Sequence, residues 1–455
     1  MIMVMDSAKR LKSFLSLMPL NYFAMTMSLR IVLAFIMRRG RMSCSRAAVA
    51  VKCQPIDRSQ VTRFLARVRW KQVDINAPVR KRLLMLEQRR GPFLFVIDAT
   101  LVGQAGKTTE NTYSTGDKSR GNRKKGKRHH KYKHARRSCH SFTFGVLITP
   151  SGYRIPYQIP HYTKEYCESH GATHRTTAEA AAAMIESVET PANAEVYVIG
   201  DTAYDAAVVQ QACERKNYYW ITPANPERVY EGPSGCRPKV RDRLKNMSRL
   251  RSCKIRIRAS EGKLAEHRRL SRWRVGPKLK PRTYCVYQET SAVRSVGRVQ
   301  LLFSTMKENL QDAKPDELKI LMTNAMHLSA KGIVDLYSCR WQIELFFKEI
   351  KSRLGFDQYR LHEFEAVRGW VELAITTVLF LETMRAEHLT KRGLSKQEVE
   401  WWRSQRLHGL CEAFTQETEA QELKFLAERL KTNGGINKLR RLIENGSPKE
   451  YRAAA

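Results

Sequence analysis

Four polar residues with a regular spacing are the first candidates for chemistry in this sequence. Tyr337, Arg340, Glu344 and Lys351 follow one another within a stretch rich in apolar residues. On one continuous α-helix, which advances about 100° per residue, the last three would lie at roughly −60°, −20° and −40° from the tyrosine. The spacing therefore predicts one narrow helical face that presents a carboxylate between two cations.

The same stretch has an apolar face, which predicts how the helix packs. This pattern is typical of a helix that buries one side against a core, and Gly355 marks its expected end. Amphipathicity alone does not require the polar face, so that face is a candidate site. The apolar residues are Ile343, Phe346, Phe347, Ile350 and Leu354.

Two aspartates each follow a short apolar run. Asp98 ends the run FLFVID and Asp201 ends the run EVYVIGD, so each is expected at the carboxyl end of a strand, the edge where open α/β sheets place their ligands. One such acid alone is more often a turn-forming residue. Three carboxylates from separate segments, however, can hold two Mg²⁺ or Mn²⁺ ions at a phosphodiester. The sequence therefore predicts metal ligands at Asp98, Asp201 and Glu344.

The positive charge of the chain is confined to three stretches. Lys and Arg number 81 against 44 Asp and Glu, a formal net charge of +37. Basic residues outnumber acidic ones by 19 to 4 in 1–90, by 11 to none in 118–137 and by 23 to 9 in 223–316, and the remainder is nearly neutral. A near-neutral scaffold with three basic surfaces predicts an enzyme that handles double-stranded DNA. A chromatin-like protein would spread its charge along the chain.

Cysteine use and hydropathy favour a reduced, cytosolic protein. The ten cysteines include no Cys-x-x-Cys pair. The apolar run 31–37 is too short to span a bilayer. The longer run 371–381 contains Glu372 and is followed by Glu382, so we expect a buried helix there. The expected location is the prokaryotic cytoplasm, in association with the nucleoid and without a membrane partner.

The pattern of periodicity divides the chain into five regions. Residues 1–90 are helical in character. In 91–222 strands alternate with helices, 223–316 is a β-rich insertion, 317–360 returns to a strand and the helix with Glu344, and 361–455 is helical. The predicted fold class is α/β, with a mixed sheet flanked by helices.

The N-terminal region contains a pattern similar to a helix-turn-helix. In 43–70 an Ala/Val-rich helix is followed by Pro55 and by a second helix that Asp57 or Ser59 would cap. This pair would leave arginines available for DNA phosphates, and an ordinary helical hairpin with solvated arginines is the alternative. The arginines are Arg58, Arg63, Arg67 and Arg69.

The spacing Y-x2-R-x3-E-x6-K in 337–351 resembles the YREK motif of insertion-sequence DDE transposases, in the branch grouped around insertion sequence four. The segments FVIDATL and VIGDTAYDA resemble those that hold the first and second catalytic aspartates of this family. The resemblance covers roughly residues 91 to 385. It implies an RNase H-like catalytic domain with metal ligands Asp98, Asp201 and Glu344 and a β-rich insertion before the glutamate.

The resemblance also implies an activity and roles for single residues. The activity is excision and strand transfer of an insertion sequence, with hydrolytic nicking to a 3′-hydroxyl and transesterification into target DNA. Arg340 and Lys351 would grip phosphates beside the cleavage point, and Tyr337 would touch the flanking phosphate or a hairpin. Lys348 is a further expected DNA contact. Trp273 would stack on a flipped base, with packing in a small β-core as the alternative.

The basic stretch 118–137 would leave the strand that bears Asp98, so we expect it to contact DNA. A solvated basic run is the alternative. The expected contacts are Arg123, Lys124, Lys125, Lys127 and Arg128. A zinc site is also conceivable, but irregular spacing and strong positive charge disfavour it. Its ligands would come from His129, His130, His134, Cys139 and His140.

The C-terminal region is charge-balanced and contains Trp401 and Trp402, so it is expected to serve self-association, with a homodimer in the active DNA complex. Two other functions are consistent with parts of the sequence. An RNase H-like nuclease without joining activity would need the same acids, and a non-catalytic basic DNA-binding protein would need only the charge.

Overall fold

The computed structural model describes residues 6–37, 40–51, 55–67, 73–104, 109–115, 137–231, 238–246, 252–257, 282–314 and 317–431. Within these ranges the chain forms one mixed β-sheet flanked by helices, as the sequence predicted. The strands are β1 (Phe93–Gln104), β2 (Tyr113–Thr115), β3 (Arg137–Ile148), β4 (Arg154–Pro160), β5 (Val196–Ile199), β6 (Tyr219–Pro223), β7 (Tyr230–Glu231), β8 (Cys253–Ile257), β9 (Arg282–Val293), β10 (Gly297–Thr305) and β11 (Lys319–Thr323).

The helices alternate with these strands in the middle of the chain and dominate both ends. They are α1 (Asp6–Leu15), α2 (Tyr22–Ile36), α3 (Cys44–Ala48), α4 (Arg58–Arg67), α5 (Ala77–Met85), α6 (Lys164–His170), α7 (Thr177–Ser187), α8 (Ala207–Arg215), α9 (Ala330–Ser338), α10 (Trp341–Glu349), α11 (Phe364–Leu389), α12 (Lys396–Ser404) and α13 (Leu407–Leu430).

The sheet has the order β2-β3-β1-β5-β6-β11-β10-β9-β7, with β4 also beside β3 and β8 beside β9. Strands β1, β5 and β6 run parallel, and the remaining pairs are antiparallel. The strands of the predicted insertion therefore extend the same sheet that carries β1 and β5. The order β4-β3-β1-β5-β6 is consistent with an RNase H-like fold.

Helix α11 lies at the centre of the helical layer. It packs against α2, α4, α5, α13 and strand β4, and this explains why its apolar residues are spread around the whole helix rather than along one stripe. Trp370 within it is fully buried. The segment 371–381 is thus a buried helix, as predicted, and no helix among the described residues is long and apolar enough to cross a membrane.

The N-terminal helices α3 and α4 form where the helix pair was predicted. The Asp57 carboxylate accepts a hydrogen bond from the Ser59 N–H at 2.7 Å, so Asp57 caps α4. Arg58, Arg63 and Arg67 lie on the exposed side of α4, while its buried side packs against α2, α3 and α11. Residue Arg69 lies outside the described ranges.

The stretch 330–354 is not the one continuous helix that the sequence predicted. A tight turn with i→i+3 hydrogen bonds separates α9 from α10, for example from the Arg340 N–H to the Tyr337 carbonyl at 3.0 Å. After α10, residues Ile350–Leu354 form a π-helical turn that ends at Gly355 with φ +71°. The turn between α9 and α10 is tighter than an α-helix, and the π-helical turn Ile350–Leu354 is wider. The ideal spacing of about 100° per residue therefore does not hold along the whole stretch.

Candidate active site

Asp98 lies inside strand β1 rather than at its end. The strand continues to Gln104 because β3 pairs with it along its length, with Asp98 opposite Phe144. The parallel neighbour β5 ends earlier, with Ile199 opposite Val96. The prediction that Asp98 ends its strand was therefore wrong, although Asp98 does lie just beyond the level at which the neighbouring β5 ends.

Asp201 follows β5 and caps a short 3₁₀ turn. Its carboxylate accepts a hydrogen bond from the Ala203 N–H at 2.9 Å. The preceding Gly200 leaves no room for a side chain, because a Cβ there would lie 2.9 Å from the Cβ of the buried Tyr204. The turn that positions Asp201 therefore depends on a glycine before it and on a buried tyrosine beneath it.

Asp205, four residues later, has a structural role that the sequence did not reveal. Its buried carboxylate accepts hydrogen bonds from Arg228 Nε at 2.7 Å, from the Asn225 N–H at 2.8 Å and from Gln210 Nε2 at 3.0 Å. These bonds tie the turn after Asp201 to the loop that follows β6. Asp201, by contrast, accepts from Ala203 and lies in the lining of a cavity.

Arg340 links two of the three predicted metal ligands. Its Nη1 lies 3.5 Å from Asp98 Oδ2, and its Nη2 donates a hydrogen bond to Glu344 Oε1. Asp98 comes from the sheet and Glu344 from α10, so the guanidinium lies between carboxylates of two different elements.

The charges at this edge act on one another. Burial raises the pKa of Asp98, and the negative charges of Asp201 and Glu344 raise it further, although the Ala99 N–H and Arg340 oppose the shift. The pKa of Tyr204 is raised by burial and also by Asp98 and Asp201. Three carboxylates from distant parts of the sequence thus share one electrostatic environment, which a divalent cation would stabilise.

These residues match a divalent cation in chemistry and charge, since all three offer carboxylate oxygens, the ligands that Mg²⁺ prefers. As placed, no three side chains of Asp, Glu, His or Cys among the residues that the structure describes form a group that could hold a metal ion. Arg340 instead provides the positive charge between Asp98 and Glu344. A metal ion can therefore bind Asp98 and Glu344 only if the Arg340 guanidinium moves away from them.

A buried ion-pair network fixes the far end of α10. Arg154 at the start of β4 donates to Glu349 at 2.6 Å and to Glu382 of α11 at 2.7 Å. The Glu382 side chain has no exposed surface and also pairs with Arg385. The helix that carries Glu344 is thus anchored to both the sheet and the central helix.

Tyr337 and Lys351 lie on different sides of Glu344 in the sequence and have different partners: the Tyr337 side chain interacts with Arg340, whereas Lys351 contacts β1. Tyr337 is buried on α9, and burial raises its pKa to about 12, so its hydroxyl stays protonated at neutral pH. The Lys351 ammonium donates to Thr100 Oγ1 at 2.7 Å and to the Leu101 carbonyl at 3.2 Å, two and three residues beyond Asp98 on β1. Burial lowers the pKa of Lys351.

The remaining predicted DNA contacts are dispersed or outside the described ranges. Lys348 is exposed on α10. On α4, Arg63 donates to its own helix at Ser59, and Arg67 is exposed. The residues that lie outside the described ranges are Trp273, Arg123, Lys124, Lys125, Lys127 and Arg128.

The two described members of the conceivable zinc site have other partners. His140 Nε2 contacts the Glu110 carbonyl at 2.9 Å, so this nitrogen carries the proton, and Nδ1 faces the Tyr359 hydroxyl at 2.8 Å. Cys139 Sγ lies 3.5 Å from the Tyr113 carbonyl. Both ring nitrogens of His140 are therefore engaged within the protein. His129, His130 and His134 lie outside the described ranges.

Comparison with known proteins finds a match of part of the chain to a family model and short similarities to individual proteins. Residues 169–381 match the sequence model of a family described as "Transposase DDE domain". A putative transposase InsL for insertion sequence element IS186A of Escherichia coli strain K12 is 46% identical over 43 residues. The transposase for insertion sequence element IS421 of Escherichia coli shows the same identity over the same length. Each aligned stretch covers 10% of this chain and 12% of the relative.

Proposed function

We propose that this protein is a DNA transposase that moves an insertion sequence, in the branch with the YREK motif grouped around insertion sequence four. The observation that carries the proposal is that Arg340 contacts both Asp98 and Glu344 and lines the same cavity as Asp201. The match of 169–381 to the transposase DDE domain supports it. So does the short similarity to proteins named as transposases of insertion sequence elements.

Asp98, Asp201 and Glu344 are the proposed catalytic residues and would hold Mg²⁺ or Mn²⁺, with two ions in the active complex. When bound, such ions lower the pKa of a water molecule and stabilise the charge on the leaving oxygen. The protein's own contribution is to hold three carboxylates in a partly buried place where their mutual repulsion favours cation binding. No covalent enzyme intermediate is required.

Arg340 is the proposed phosphate ligand at the cleavage point. A guanidinium offers a planar set of donors that suits phosphate oxygens. With Asp98 and Glu344 bound to a metal ion, Arg340 would be available to bind a phosphate of the substrate. Lys351, held by Thr100 and Leu101 on β1, supplies a second positive charge at the same edge, and Lys348 is a more peripheral contact.

The reaction would proceed in two steps at this edge. Water first attacks the phosphodiester at the end of the element, the bond from phosphorus to the 3′ oxygen breaks, and a free 3′-hydroxyl remains. In the second step this hydroxyl loses its proton to solvent and attacks a phosphodiester of the target. A new bond from oxygen to phosphorus forms while the target's own 3′ oxygen leaves.

The other basic regions would bind double-stranded DNA away from the cleavage point. Arg63 and Arg67 on the exposed side of α4 are the proposed contacts in the N-terminal region 1–90. The stretch 118–137 and Trp273 of the insertion 223–316 are further proposed contacts. The helices of 361–455 would support a homodimer, and the reaction would take place in the prokaryotic cytoplasm at the nucleoid.

The proposal is tested with DNA that carries the sequences on either side of the gene. We expect purified protein with Mn²⁺ to nick this DNA and to join the 3′ end to a second duplex, and Asp98→Asn to abolish both. Asp335→Asn is the matched control, because Asp335 is exposed on α9 and pairs with Lys331. Nicking without joining would favour a nuclease, and binding without nicking would favour a non-catalytic protein.

A further inference from the structure

A cavity of about 720 Å³ opens beside Asp201, and its lining contains a cation that the motif does not include. Asp201, Tyr337 and Arg340 line this cavity together with Lys319 of β11 and Arg241 of the loop after β7. Glu344 and Lys351 do not line it. The cavity thus adjoins the site without being the space between the acids.

Strand direction explains why Lys319 reaches this edge. Strand β11 runs antiparallel to β6, with Leu321 opposite Pro223, so β11 begins where β6 ends. Strand β6 runs parallel to β5, which leads into Asp201. Lys319 is the first residue of β11, and its carbonyl accepts a hydrogen bond from Ser304 Oγ at 3.1 Å. Its backbone is therefore fixed at the edge that carries Asp201.

The side chain of Lys319 is held by an aromatic ring rather than by an acid. Its ammonium lies 4.4 Å from the centre of the Tyr337 ring, within the range of a cation–π contact. None of the ion pairs among the described residues includes Lys319, and the neighbouring Glu317 pairs with Lys307 at 3.2 Å.

A second cation lies close to Lys319. Burial around its ammonium and the positive charge of Arg340 lower the pKa of Lys319, although part of the side chain remains exposed. Two neighbouring cations on one cavity wall repel each other until an anion lies between them.

Besides Asp201, the acids Glu317 and Glu227 line the cavity, and both are paired with basic side chains of the protein. Glu227 pairs with Lys239 at 2.6 Å and also with Arg241. Its charge is therefore balanced within its own loop. Arg340 is already paired with Asp98 and Glu344, so an external anion is the simpler partner for Lys319.

We propose that this cavity binds a backbone phosphate of DNA and that Lys319 is a phosphate-binding residue of the site. The inference rests on the proposed function, because it places the strand next to the acids. It also gives Tyr337 a defined role: the ring holds the Lys319 ammonium in place, so Tyr337 acts as a positioning residue for a phosphate contact.

The test is a salt titration of binding to one fixed DNA duplex. Loss of one phosphate contact reduces the slope of log K against log salt by about 0.9, and we expect this for Lys319→Gln, whose stem can still pack on Tyr337. Lys319→Arg should keep the wild-type slope. Lys331→Gln is the matched control, because Lys331 is exposed on α9 and pairs with Asp335 at 2.5 Å. An unchanged slope for Lys319→Gln would overturn the inference.

A second measurement locates the contact on the DNA. Single phosphates near the cleavage point are replaced by neutral methylphosphonates, and the loss of affinity at each position is compared between wild type and Lys319→Gln. We expect one position at which the wild type loses affinity and the variant does not. If wild type nicks and joins DNA but no such position exists, the phosphate site is refuted while the transposase proposal stands. If wild type does neither, the transposase proposal itself fails.

Discussion

Arg340 is ion-paired with Asp98, with 3.5 Å between Nη1 and Oδ2, although Asp98 lies in the first described strand and Arg340 follows the last one. The same guanidinium donates to Glu344. It is therefore the cation that balances two of the proposed metal ligands. A divalent ion that binds these carboxylates has to compete with a positive charge of the protein itself.

Replacement of Arg340 by Gln should tighten metal binding and weaken DNA binding. The variant leaves Asp98 and Glu344 without their organic counter-cation, so the electrostatic attraction for Mn²⁺ rises. Calorimetric titration with Mn²⁺ measures the first effect, and a DNA-binding assay measures the second. Arg215→Gln is the control, because Arg215 pairs with Glu186 on the surface. Mn²⁺ affinity that is unchanged or reduced in Arg340→Gln would show that the two cations do not compete.

Substitution of Asp201 should mainly reduce catalysis, whereas substitution of Asp205 should mainly reduce stability. Asp205→Ala leaves the largely buried Arg228 without its partner, and removal of one member of a buried pair costs about 3 kcal/mol or more of unfolding free energy. Asp201→Ala removes one capping hydrogen bond, which is worth about 1 kcal/mol, but should abolish nicking. Urea denaturation and the nicking assay distinguish the two variants. Equal losses of stability would mean that Asp205 is not the structural acid.

Gly200→Ala should reduce the nicking rate through the position of Asp201. The added Cβ would approach the Tyr204 Cβ to 2.9 Å, so the turn that carries Asp201 must move. A displacement of about 1 Å at a reacting group can cost on the order of 100-fold in rate. Gly103→Ala is the matched control in β1, where a Cβ meets no atom within 4 Å. A wild-type rate for Gly200→Ala would contradict the role of this turn.

His140 should make the stability of the protein sensitive to acid. Burial lowers its pKa from the ordinary value of 6.5, so the folded chain keeps the ring neutral at a pH where the unfolded chain binds a proton. The stability from this site is fully present above pH 6.5 and is lost as the pH falls below it. His140→Gln should flatten this part of the dependence in urea denaturation at a series of pH values. If the free energy of unfolding depended on pH in the same way in wild type and in His140→Gln, the proposed role of His140 would be excluded.

The elements of the fold followed from local patterns, whereas the contacts of the site did not. Apolar runs predicted β1 and β5, and Gly355 ended the helical stretch as expected. The continuation of β1 beyond Asp98 depends on pairing with β3, whose register no local pattern specifies. Likewise, no local pattern predicted the turn between α9 and α10, both of which pack on the sheet.

Some of the proposed site residues could likewise be found from the sequence, and others only from the fold. A motif and two strand ends were enough to select Asp98, Asp201 and Glu344. Lys319 gave no signal, because its place depends on the antiparallel direction of β11 relative to β6. Asp205 resembled Asp201 until its partner Arg228, from the loop after β6, was known.

The most direct test of the central claim is to map the metal site with Fe²⁺ in place of Mg²⁺. With ascorbate and peroxide, bound Fe²⁺ generates hydroxyl radicals that cut the polypeptide near the ion. If Asp98, Asp201 and Glu344 hold metal together, wild type should be cut near all three residues, excess Mg²⁺ should suppress the cuts, and Asp98→Asn should lose all of them at once. Cuts at other positions, or cuts near Asp201 and Glu344 that persist in Asp98→Asn, would contradict a shared metal site.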